Sequence, residues 1–365
     1  MKRYFFVITA VFLTAAFFGA TQAAQAAGCH FISDDIGYVC EADNNAPTFV
    51  VPTPPEDSLF NEVSYARLDD LINVYPEPTT AIAPLYNVGD GYLWSTVTGP
   101  FAGDDGNMWY LMNQGEYIRA QDARVYPISQ FAGVEVNNQP ERPFGWMVVD
   151  YWYSDEPGAE PAQDAIKLPR YTFVEVYDAV KDDQDWIWYD IGNGRWMRQT
   201  YLSLINVTDM PESLDDDELW VDIDLYEQTF AAYEGRRMVY AGLISSGLSQ
   251  FGWDTDEGLF QVWDRWEETK MSGAEDKVDY YFIEDVPYTM YIDRVTEIAL
   301  HGAYWHDRFG YKHSHGCINM SPYEAEWVFD WSLDGDSEYF WVNVHTSNPD
   351  HYLNRIDPLE TFSGA

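Results

Sequence analysis

Residues 314–319 read Ser-His-Gly-Cys-Ile-Asn, and they follow the dipeptide His301-Gly302. A thiolate is a strong nucleophile, but only a few per cent of an ordinary thiol is ionised at neutral pH. Enzymes that use cysteine therefore place an imidazole beside it. His301 and His315 both precede Cys317 in the chain and could serve this purpose. The stretch predicts a nucleophilic cysteine enzyme.

The first residues predict export. Residues 1–3 carry positive charge, residues 4–20 are almost wholly apolar, and Ala24-Gln25-Ala26 fits the small-residue pattern of a cleavage site. We expect a signal peptide over residues 1–26 and a protein secreted outside the cytoplasmic membrane, associated with the cell wall, with no membrane span after cleavage. The alternatives are an uncleaved N-terminal anchor and lipidation of Cys29.

The three cysteines divide into a pair and a single residue. Cys29 and Cys40 enclose a short loop, and in an oxidising compartment we expect them to form a disulfide. Cys317 is then the odd thiol. An odd thiol in a secreted chain is either intermolecular or reactive, and its histidine-rich surroundings favour the reactive role.

Charge and composition limit the possible partners. The chain of 365 residues holds 61 acidic and 20 basic residues, a formal net charge of −41. Such a charge repels nucleic acid and anionic membranes, so a nucleic-acid partner is excluded, whereas divalent ions or cationic groups could be attracted. The hydrophobic fraction of 46% and the aromatic fraction of 17% are too high for disorder. We expect a well-filled core under an acidic surface.

An internal repeat indicates two small β-modules. Residues 109–119 align without gaps on residues 188–198, with the shared pattern W-Y-x4-G-x-[YW]-[IM]-R. Each copy predicts a β-hairpin with a glycine turn. The copies resemble the closing hairpin of bacterial SH3-like barrels. The repeated aromatic residues either fill these barrels or stack on a wall polymer; they are Trp109, Tyr117, Trp188 and Trp196.

The rest of the chain predicts a mainly β fold with one clear helix. Residues 208–218 are acidic and read as a solvated linker, with a calcium site as the less favoured alternative because EF-hand spacing is missing. Period-two segments follow, and Ser321, Pro322 and Glu324 form a helix-start pattern directly after the cysteine motif. The expected segments are 1–26 (signal peptide), 27–57 (N-terminal segment), 58–130 and 140–207 (SH3-like modules), 208–218 (linker), 219–346 (catalytic domain) and 347–365 (C-terminal tail).

In residues 219–346 the motifs resemble the L,D-transpeptidase catalytic domain of the YkuD family. Its pattern H-G-x(n)-[ST]-H-G-C-[IV]-[RN] matches residues 301–302 and 314–319. The segments 221–228, 245–247 and 255–260 are similar to its V-x-L-x-x-Q, S-T-G and T-P-x-G-x-F elements. The chain departs from the family at Asp256, which stands where Pro is common, and at Ser246 in place of Thr, while Asn319 is an accepted alternative to Arg in the pattern.

The resemblance implies a role for each matching residue. Cys317 would be the nucleophile, His301 its proton acceptor and donor, Gly302 the residue whose carbonyl orients His301, and His315 a supporting residue. Backbone N–H groups of residues 315–317, chiefly those of Gly316 and Cys317, would form the oxyanion hole. Substrate contacts are expected from Tyr304, Trp305, Ser314 and Asn319.

The family needs no metal or cofactor, and we expect none. Zinc is an alternative, because His306 and His313 add two potential ligands to the motif, but the spacing fits no standard zinc pattern.

These roles imply a peptidoglycan L,D-transpeptidase that forms 3→3 cross-links between stem peptides through a thioester. The alternatives are an L,D-carboxypeptidase of the same family and a non-catalytic protein that binds the wall through its repeats. A papain-like enzyme is disfavoured because such enzymes place Cys before His. The polar segment 263–285, between core strands, is expected to act as a lid.

Overall fold

The computed structural model of the protein describes residues 29–33, 37–40, 48–54, 58–112, 115–273, 280–333 and 340–348. The predicted signal peptide and nearly all of the predicted tail lie outside these ranges. Within them, no helix is long and apolar enough to cross a bilayer. By internal contacts the chain forms two units, Met1–Val50 with Asn137–Gln139, and Val51–Val136 with Pro140–Ala365.

The first unit contains a short antiparallel ladder. Strands β1 (Cys29–Ser33) and β2 (Gly37–Cys40) pair with Cys29 opposite Cys40, and β3 is Phe49–Val50. The side chains of both cysteines lie outside the described part of the chain. Their disulfide therefore stays a prediction.

The second unit begins with short strands that precede the acidic linker. They are β4 (Ser64–Leu68), β5 (Asn73–Val74), β6 (Tyr86–Asn87), β7 (Tyr92–Ala102), β8 (Met108–Met112), β9 (Tyr117–Arg119), β10 (Ala123–Tyr126), β11 (Val134–Val136), β12 (Phe144–Met147), β13 (Tyr151–Trp152), β14 (Lys167–Leu168), β15 (Phe173–Glu175), β16 (Asp178–Lys181), β17 (Ile187–Asp190), β18 (Trp196–Arg198) and β19 (Leu202–Ile205).

The sequence repeat forms two equivalent hairpins. β8 pairs antiparallel with β9, and β17 with β18, which confirms the predicted hairpins. Each hairpin leads through one 3₁₀ turn, Ala120–Asp122 or Gln199–Tyr201, into a further strand, β10 or β19. The SH3-like assignment of the modules stays a prediction.

The repeated tryptophans are structural in both hairpins. Trp109 and Trp188 are buried. The Trp109 indole donates to Asp105 at 3.0 Å, and the Trp188 indole donates to Asp182 at 2.8 Å. A buried indole N–H needs such a partner. Trp109 and Trp188 therefore pack inside the modules, as expected if the repeated aromatic residues fill the barrels.

The catalytic segment after the linker is one mixed sheet with a helix. Its elements are β20 (Leu219–Asp224), β21 (Thr229–Glu234), β22 (Arg237–Ser245), β23 (Gly258–Gln261), β24 (Asp264–Gly273), β25 (Tyr281–Tyr291), β26 (Ala299–Gly302), β27 (Ile318–Met320), α1 (Pro322–Leu333) and β28 (Trp341–His345). The strand order is β25-β26-β27-β22-β21-β20-β28-β23, with β26 parallel to β27. The mainly β fold with one helix after the cysteine motif is confirmed.

Helix α1 begins with the predicted capping box. The Glu324 N–H donates to Ser321 Oγ at 3.2 Å, and the Ser321 N–H donates to the Glu324 carboxylate at 3.4 Å. Ala325, Val328 and Phe329 are buried in the core against the sheet. Trp327 and Trp331 of the same helix are half-buried.

The first module shares its sheet with the catalytic segment. β7 pairs in parallel with β25, and the Tyr65 ring stacks on Tyr304 with centroids 4.1 Å apart. The predicted modules also have apolar clusters of their own, around Leu68 in the first and around Met147 in the second. Residues 263–285, the predicted lid, include β24 and the start of β25, which form the arms of a hairpin. That hairpin is anchored to the first module through β7.

Candidate active site

The predicted catalytic residues lie on two neighbouring strands. In the parallel pair β26 and β27, His301 is level with Asn319. Cys317 immediately precedes β27, the strand that lies beside the one carrying His301. The backbone N–H of Ala299, which is two residues before His301, donates a hydrogen bond to the Cys317 thiol group. The sheet thus brings together residues that the sequence separates.

His301 is a buried, neutral imidazole with a defined tautomer. Its side chain is 2% exposed, and Nδ1 lies 3.2 Å from the carbonyl oxygen of Gly302. A carbonyl only accepts, so Nδ1 carries the proton and Nε2 keeps its lone pair. Burial lowers the pKa of His301 to about 4, and the hydrogen bond to Gly302 partly opposes this shift. Nε2 is therefore available as a proton acceptor at neutral pH, and Gly302 lies where its predicted orienting role requires.

Cys317 is a neutral, half-buried thiol in the same site. Burial raises its pKa to about 11, while the Ala299 N–H acts in the opposite direction. A thiol with this pKa is almost entirely protonated at pH 7. The resting site therefore holds a thiol and a neutral imidazole rather than a preformed thiolate–imidazolium pair.

The loop that carries Cys317 is held by a buried glutamine. Gln228 is fully buried and bonds both polar groups of Ser246 at 2.8 Å, accepting from its N–H and donating to its Oγ. The Ser246 carbonyl in turn accepts the N–H groups of His313 and Ser314 at 3.0 and 3.1 Å. This chain of contacts links two of the resemblance motifs to the cysteine loop.

A threonine holds the other side of the loop. Thr255 Oγ1 donates to the Gly316 carbonyl at 2.7 Å and accepts the Gly247 N–H at 3.0 Å. Gly316 has φ +125°, a conformation that favours glycine. At Gly247 a Cβ would lie 1.8 Å from the Trp253 carbonyl oxygen. The family elements around residues 228, 246 and 255 therefore fix the backbone that presents Cys317.

His315 is exposed and lies between two aromatic rings. Its ring stacks on Trp253 with centroids 3.7 Å apart and lies 4.9 Å from the ring of Tyr281 in β25. These contacts orient the imidazole at the surface of the site. They also connect it to the hairpin that was predicted as a lid. Its supporting role toward the thiol stays a prediction.

The predicted oxyanion donors differ in their surroundings. The Gly316 N–H already donates to Ser314 Oγ at 3.1 Å, and Ser314 Oγ donates to the Cys317 carbonyl. This serine closes a local turn, so the Gly316 N–H points into the loop. The predicted oxyanion hole then depends on the Cys317 and His315 N–H groups.

The predicted substrate-contacting residues fall into two groups. Tyr304 is 1% exposed, and its hydroxyl donates to the Glu284 carbonyl. The Tyr304 ring packs in the core shared with the first module, and substrate contact at this residue stays a prediction. Ser314 and Asn319 are also buried and make structural hydrogen bonds. Trp305 is partly exposed, and its ring centroid lies 5.5 Å from that of His301.

Asn319 is bonded to His306, which reveals the orientation of its amide. The Asn319 amide lies 2.9 Å from His306 Nε2, and His306 Nδ1 accepts the Arg308 N–H at 3.1 Å. Burial lowers the pKa of His306 well below its usual value, so the ring is neutral and Nε2 carries its proton. The partner of Nε2 must then be the amide oxygen of Asn319. His306 is thus a structural link from Asn319 to the 306–309 segment.

The segment between the two catalytic strands is clamped by Asp307. Its carboxylate accepts Ser129 Oγ at 2.6 Å and the Tyr171 hydroxyl at 2.8 Å. Arg170 donates to the Asp307 and Phe309 carbonyls at 2.6 and 3.0 Å. Sequence analysis assigned no role to Asp307. Its partners Ser129, Tyr171 and Arg170 are distant along the chain, and no local sequence pattern indicates them.

No metal site accompanies the motif in the described ranges, where no group of three or more His, Cys, Asp or Glu is placed to hold an ion. The ring centroids of His306 and His313 lie 4.2 Å apart. As described above, however, both ring nitrogens of His306 already form hydrogen bonds, one with Arg308 and one with Asn319.

Comparison with known proteins agrees with this site. Residues 218–344 match the YkuD family of L,D-transpeptidase catalytic domains. YciB of Bacillus subtilis (strain 168), which is assigned as an L,D-transpeptidase, is 30% identical over 123 residues, covering 31% of this chain and 60% of its own length. The chain therefore spans less than two thirds of that relative. The family assignment made from the sequence is confirmed for this segment.

Parts of the chain are also similar to solved structures. The crystal structure of a cysteine-to-serine mutant of the Enterococcus faecium L,D-transpeptidase is 25% identical, covering 35% of this chain and 50% of that chain with a TM-score of 0.30. An L,D-transpeptidase from Mycobacterium smegmatis is 18% identical, covering 59% of this chain and 90% of that chain with a TM-score of 0.32.

Proposed function

With residues 218–344 taken as an L,D-transpeptidase catalytic domain, we propose that the protein forms 3→3 cross-links between peptidoglycan stem peptides. The observation that carries this proposal is the pairing of a neutral His301, its Nδ1 engaged by Gly302, with the Cys317 thiol beside the adjacent strand. A nucleophile, a base and an orienting group are the parts that acyl transfer requires.

In the first step the thiol is acylated. The Cys317 sulfur attacks the carbonyl carbon of the third stem residue while the thiol proton passes to His301 Nε2. The tetrahedral intermediate then collapses, the carbon–nitrogen bond to D-Ala breaks, and the imidazolium gives its proton to the leaving amine. The product is a thioester on Cys317.

In the second step an amine of a neighbouring stem takes the acyl group. The amine nitrogen attacks the thioester carbon and loses a proton to His301, and the carbon–sulfur bond breaks. The imidazolium returns that proton to the Cys317 sulfur. The site ends as it began, with a neutral thiol and a neutral imidazole.

Burial explains why this route uses concerted proton transfer. With a thiol pKa of about 11 and an imidazole pKa of about 4, the separated charges are scarcely populated before substrate binds. The proton therefore moves as the sulfur–carbon bond forms, when negative charge shifts to the substrate oxygen. Backbone N–H donors directed at that oxygen would each be worth about 3 kcal/mol.

We also propose that this reaction takes place outside the cytoplasmic membrane, as a secreted protein associated with the wall. The support is the composition of residues 1–26, with a basic start, an apolar stretch and a small-residue cleavage pattern.

The test uses purified protein and synthetic tetrapeptide stems that end in D-Ala, with products identified by mass spectrometry. Transpeptidation releases D-Ala and yields a dimer, whereas release without a dimer would identify a carboxypeptidase. Cys317→Ala and His301→Gln should both abolish release. His345→Gln is the matched histidine control, because His345 lies in β28 and bonds Asp222. Absence of release by the unmodified protein, together with binding to wall fragments, would overturn the proposal in favour of a binding protein.

A further inference from the structure

A cleft lies beside the catalytic segment, on the side of the first module. It has a volume of about 860 Å³ and is bordered by Arg67, Arg124, Tyr126, Trp305 and Arg308. A second recess of about 480 Å³ shares Trp305 and Arg308 with it and adds Arg170. The two recesses are therefore continuous, and several arginines line them.

Arginines are scarce in this chain, which makes their concentration here informative. Basic residues number 20 against 61 acidic residues. The border of the larger cleft also includes three aspartates, Asp69, Asp70 and Asp307. They balance the charge of the arginines there, so the cleft is not strongly acidic. Asp70 accepts the Gly91 N–H at 3.3 Å, and Asp307 is engaged by Ser129 and Tyr171 as described above. The cleft is a local exception to the field of the molecule.

Two of the arginines stand directly opposite each other. In the antiparallel pair of β4 and β10, Arg67 is the partner of Arg124, so both side chains leave the same face of the sheet. Like charges at such a pair are destabilising. Neither guanidinium forms an ion pair with a carboxylate in the described part of the chain. A carboxylate ligand placed between the two guanidinium groups would relieve this repulsion.

Arg67 is held in a fixed position, whereas Arg124 is exposed. The Arg67 guanidinium donates to the Gly91 carbonyl at 2.9 Å and lies 4.4 Å from the centroid of the Tyr92 ring. Arg124 is solvent-exposed. A planar anion between them could accept from both guanidinium groups, as carboxylates do with arginine.

The cleft reaches the catalytic histidine through one side chain. Trp305 borders both recesses, and its ring lies next to His301. The Tyr92 hydroxyl donates to the Trp305 carbonyl at 3.5 Å, which connects the first module to the same residue. A chain molecule lying in the cleft would therefore contact Trp305, the residue that packs next to His301.

We propose that Arg67 and Arg124 of the first module form a carboxylate subsite for the peptide substrate, in a cleft whose Trp305 packs next to His301. This inference rests on the proposed function, because it takes the ligand to be a stem peptide. The first module then acts in substrate recognition. Its two guanidinium groups offset, at one place, the repulsion that a chain of net charge −41 exerts on an anionic peptide.

The test compares binding of two tetrapeptides to Cys317→Ala by calorimetry. One peptide has free side-chain carboxylates, and in the other these are amidated. Arg124→Gln should weaken binding of the free peptide by about three- to tenfold, the scale of one partly exposed charge-assisted hydrogen bond. Arg124→Lys should recover most of the affinity. Arg236→Gln, which removes an exposed arginine paired with Asp216 at 3.2 Å, is the control and should change nothing.

The possible outcomes separate failure of the carboxylate subsite from failure of the proposed reaction. Equal affinity of Arg124→Gln and the parent for the free peptide, or equal weakening for both peptides, overturns the subsite. Charge-dependent binding without D-Ala release by the unmodified protein would keep the subsite and overturn the proposed reaction. With release intact, an Arg124→Gln effect on donor KM in the absence of acceptor assigns the donor stem. An effect confined to acceptor concentration assigns the acceptor stem.

Discussion

Gln228→Ala tests whether a buried amide controls the cysteine loop. Besides its two bonds to Ser246, the Gln228 amide donates to the Leu225 carbonyl at 2.8 Å. Truncation leaves the Ser246 N–H and the Leu225 carbonyl without this partner inside the protein. Each buried polar group left unsatisfied costs about 1–3 kcal/mol, so we expect a loss of roughly 2–4 kcal/mol in the free energy of unfolding.

The effect on activity should exceed the effect on folding. Ser246 holds the backbone of His313 and Ser314, which lead directly to Cys317. A displacement of the nucleophile by about 1 Å can cost on the order of 100-fold in rate. We therefore expect kcat for D-Ala release, expressed per folded molecule, to fall by about 10- to 100-fold.

Gln199→Ala provides the matched control for this experiment. Gln199 is also buried, accepts the Ile187 N–H at 2.6 Å and donates to the Tyr226 hydroxyl at 3.0 Å, but it lies in the second module. Thermal unfolding and D-Ala release should be measured on both variants at one temperature. If Gln228→Ala keeps the kcat of the parent, or if Gln199→Ala loses kcat equally, the reasoning fails.

Four further results are expected. The raised pKa of Cys317 leaves only about 1 in 10,000 thiols ionised at pH 7. The rate of alkylation by iodoacetamide should therefore be low at pH 7 and rise about tenfold per pH unit toward pH 11. A rate that reaches a plateau near pH 8.5 would contradict this. Gly316→Ala should reduce D-Ala release and lower the melting temperature, because alanine is strained by about 1–2 kcal/mol at φ +125°, and full activity would show that the loop can adapt. Asp307→Ala should lower kcat more than it raises KM, since two hydroxyl donors lose their acceptor; a pure KM change would argue for substrate contact. The hydrogen bond to Asp222 raises the pKa of His345, so its stabilising effect is present below the unfolded-state pKa near 6.5 and is lost as pH rises through the folded-state pKa; His345→Gln should lose most stability at acidic pH, and a larger loss at pH 9 would refute the sign.

Local patterns predicted much of the catalytic segment. The helix start at residues 321–324 was readable because a capping box satisfies backbone groups within one turn of chain. The catalytic pair could be named because the motif itself carries Cys317 and His301. In these cases the stabilising partners are close in sequence or belong to one motif.

Contacts between distant segments were not predictable in the same way. The packing of Tyr304 against Tyr65 and Trp94 of the first module was not predicted from the sequence. The sequence does not indicate which aromatic rings pack against each other, since burial of apolar surface is not directional. The pairing of β7 with β25 joins residues far apart in the chain, and only the folded sheet reveals it. The predicted boundary between the first module and the catalytic segment therefore separates residues that pack in one core.

The half-buried, neutral thiol of Cys317 connects the chemistry of the site with the proposed location of the protein. Oxidation of cysteine proceeds through the thiolate, so its rate follows the ionised fraction. A pKa of about 11 keeps that fraction very small near pH 7, and the same burial keeps His301 unprotonated as a base. Outside the cytoplasmic membrane, where oxidants are not countered by cytosolic reductants, a resting thiolate would be a liability. A thiol that loses its proton only as it attacks a carbonyl avoids that liability, which is why we expect hydrogen peroxide to inactivate the enzyme slowly at pH 7 and much faster at pH 10.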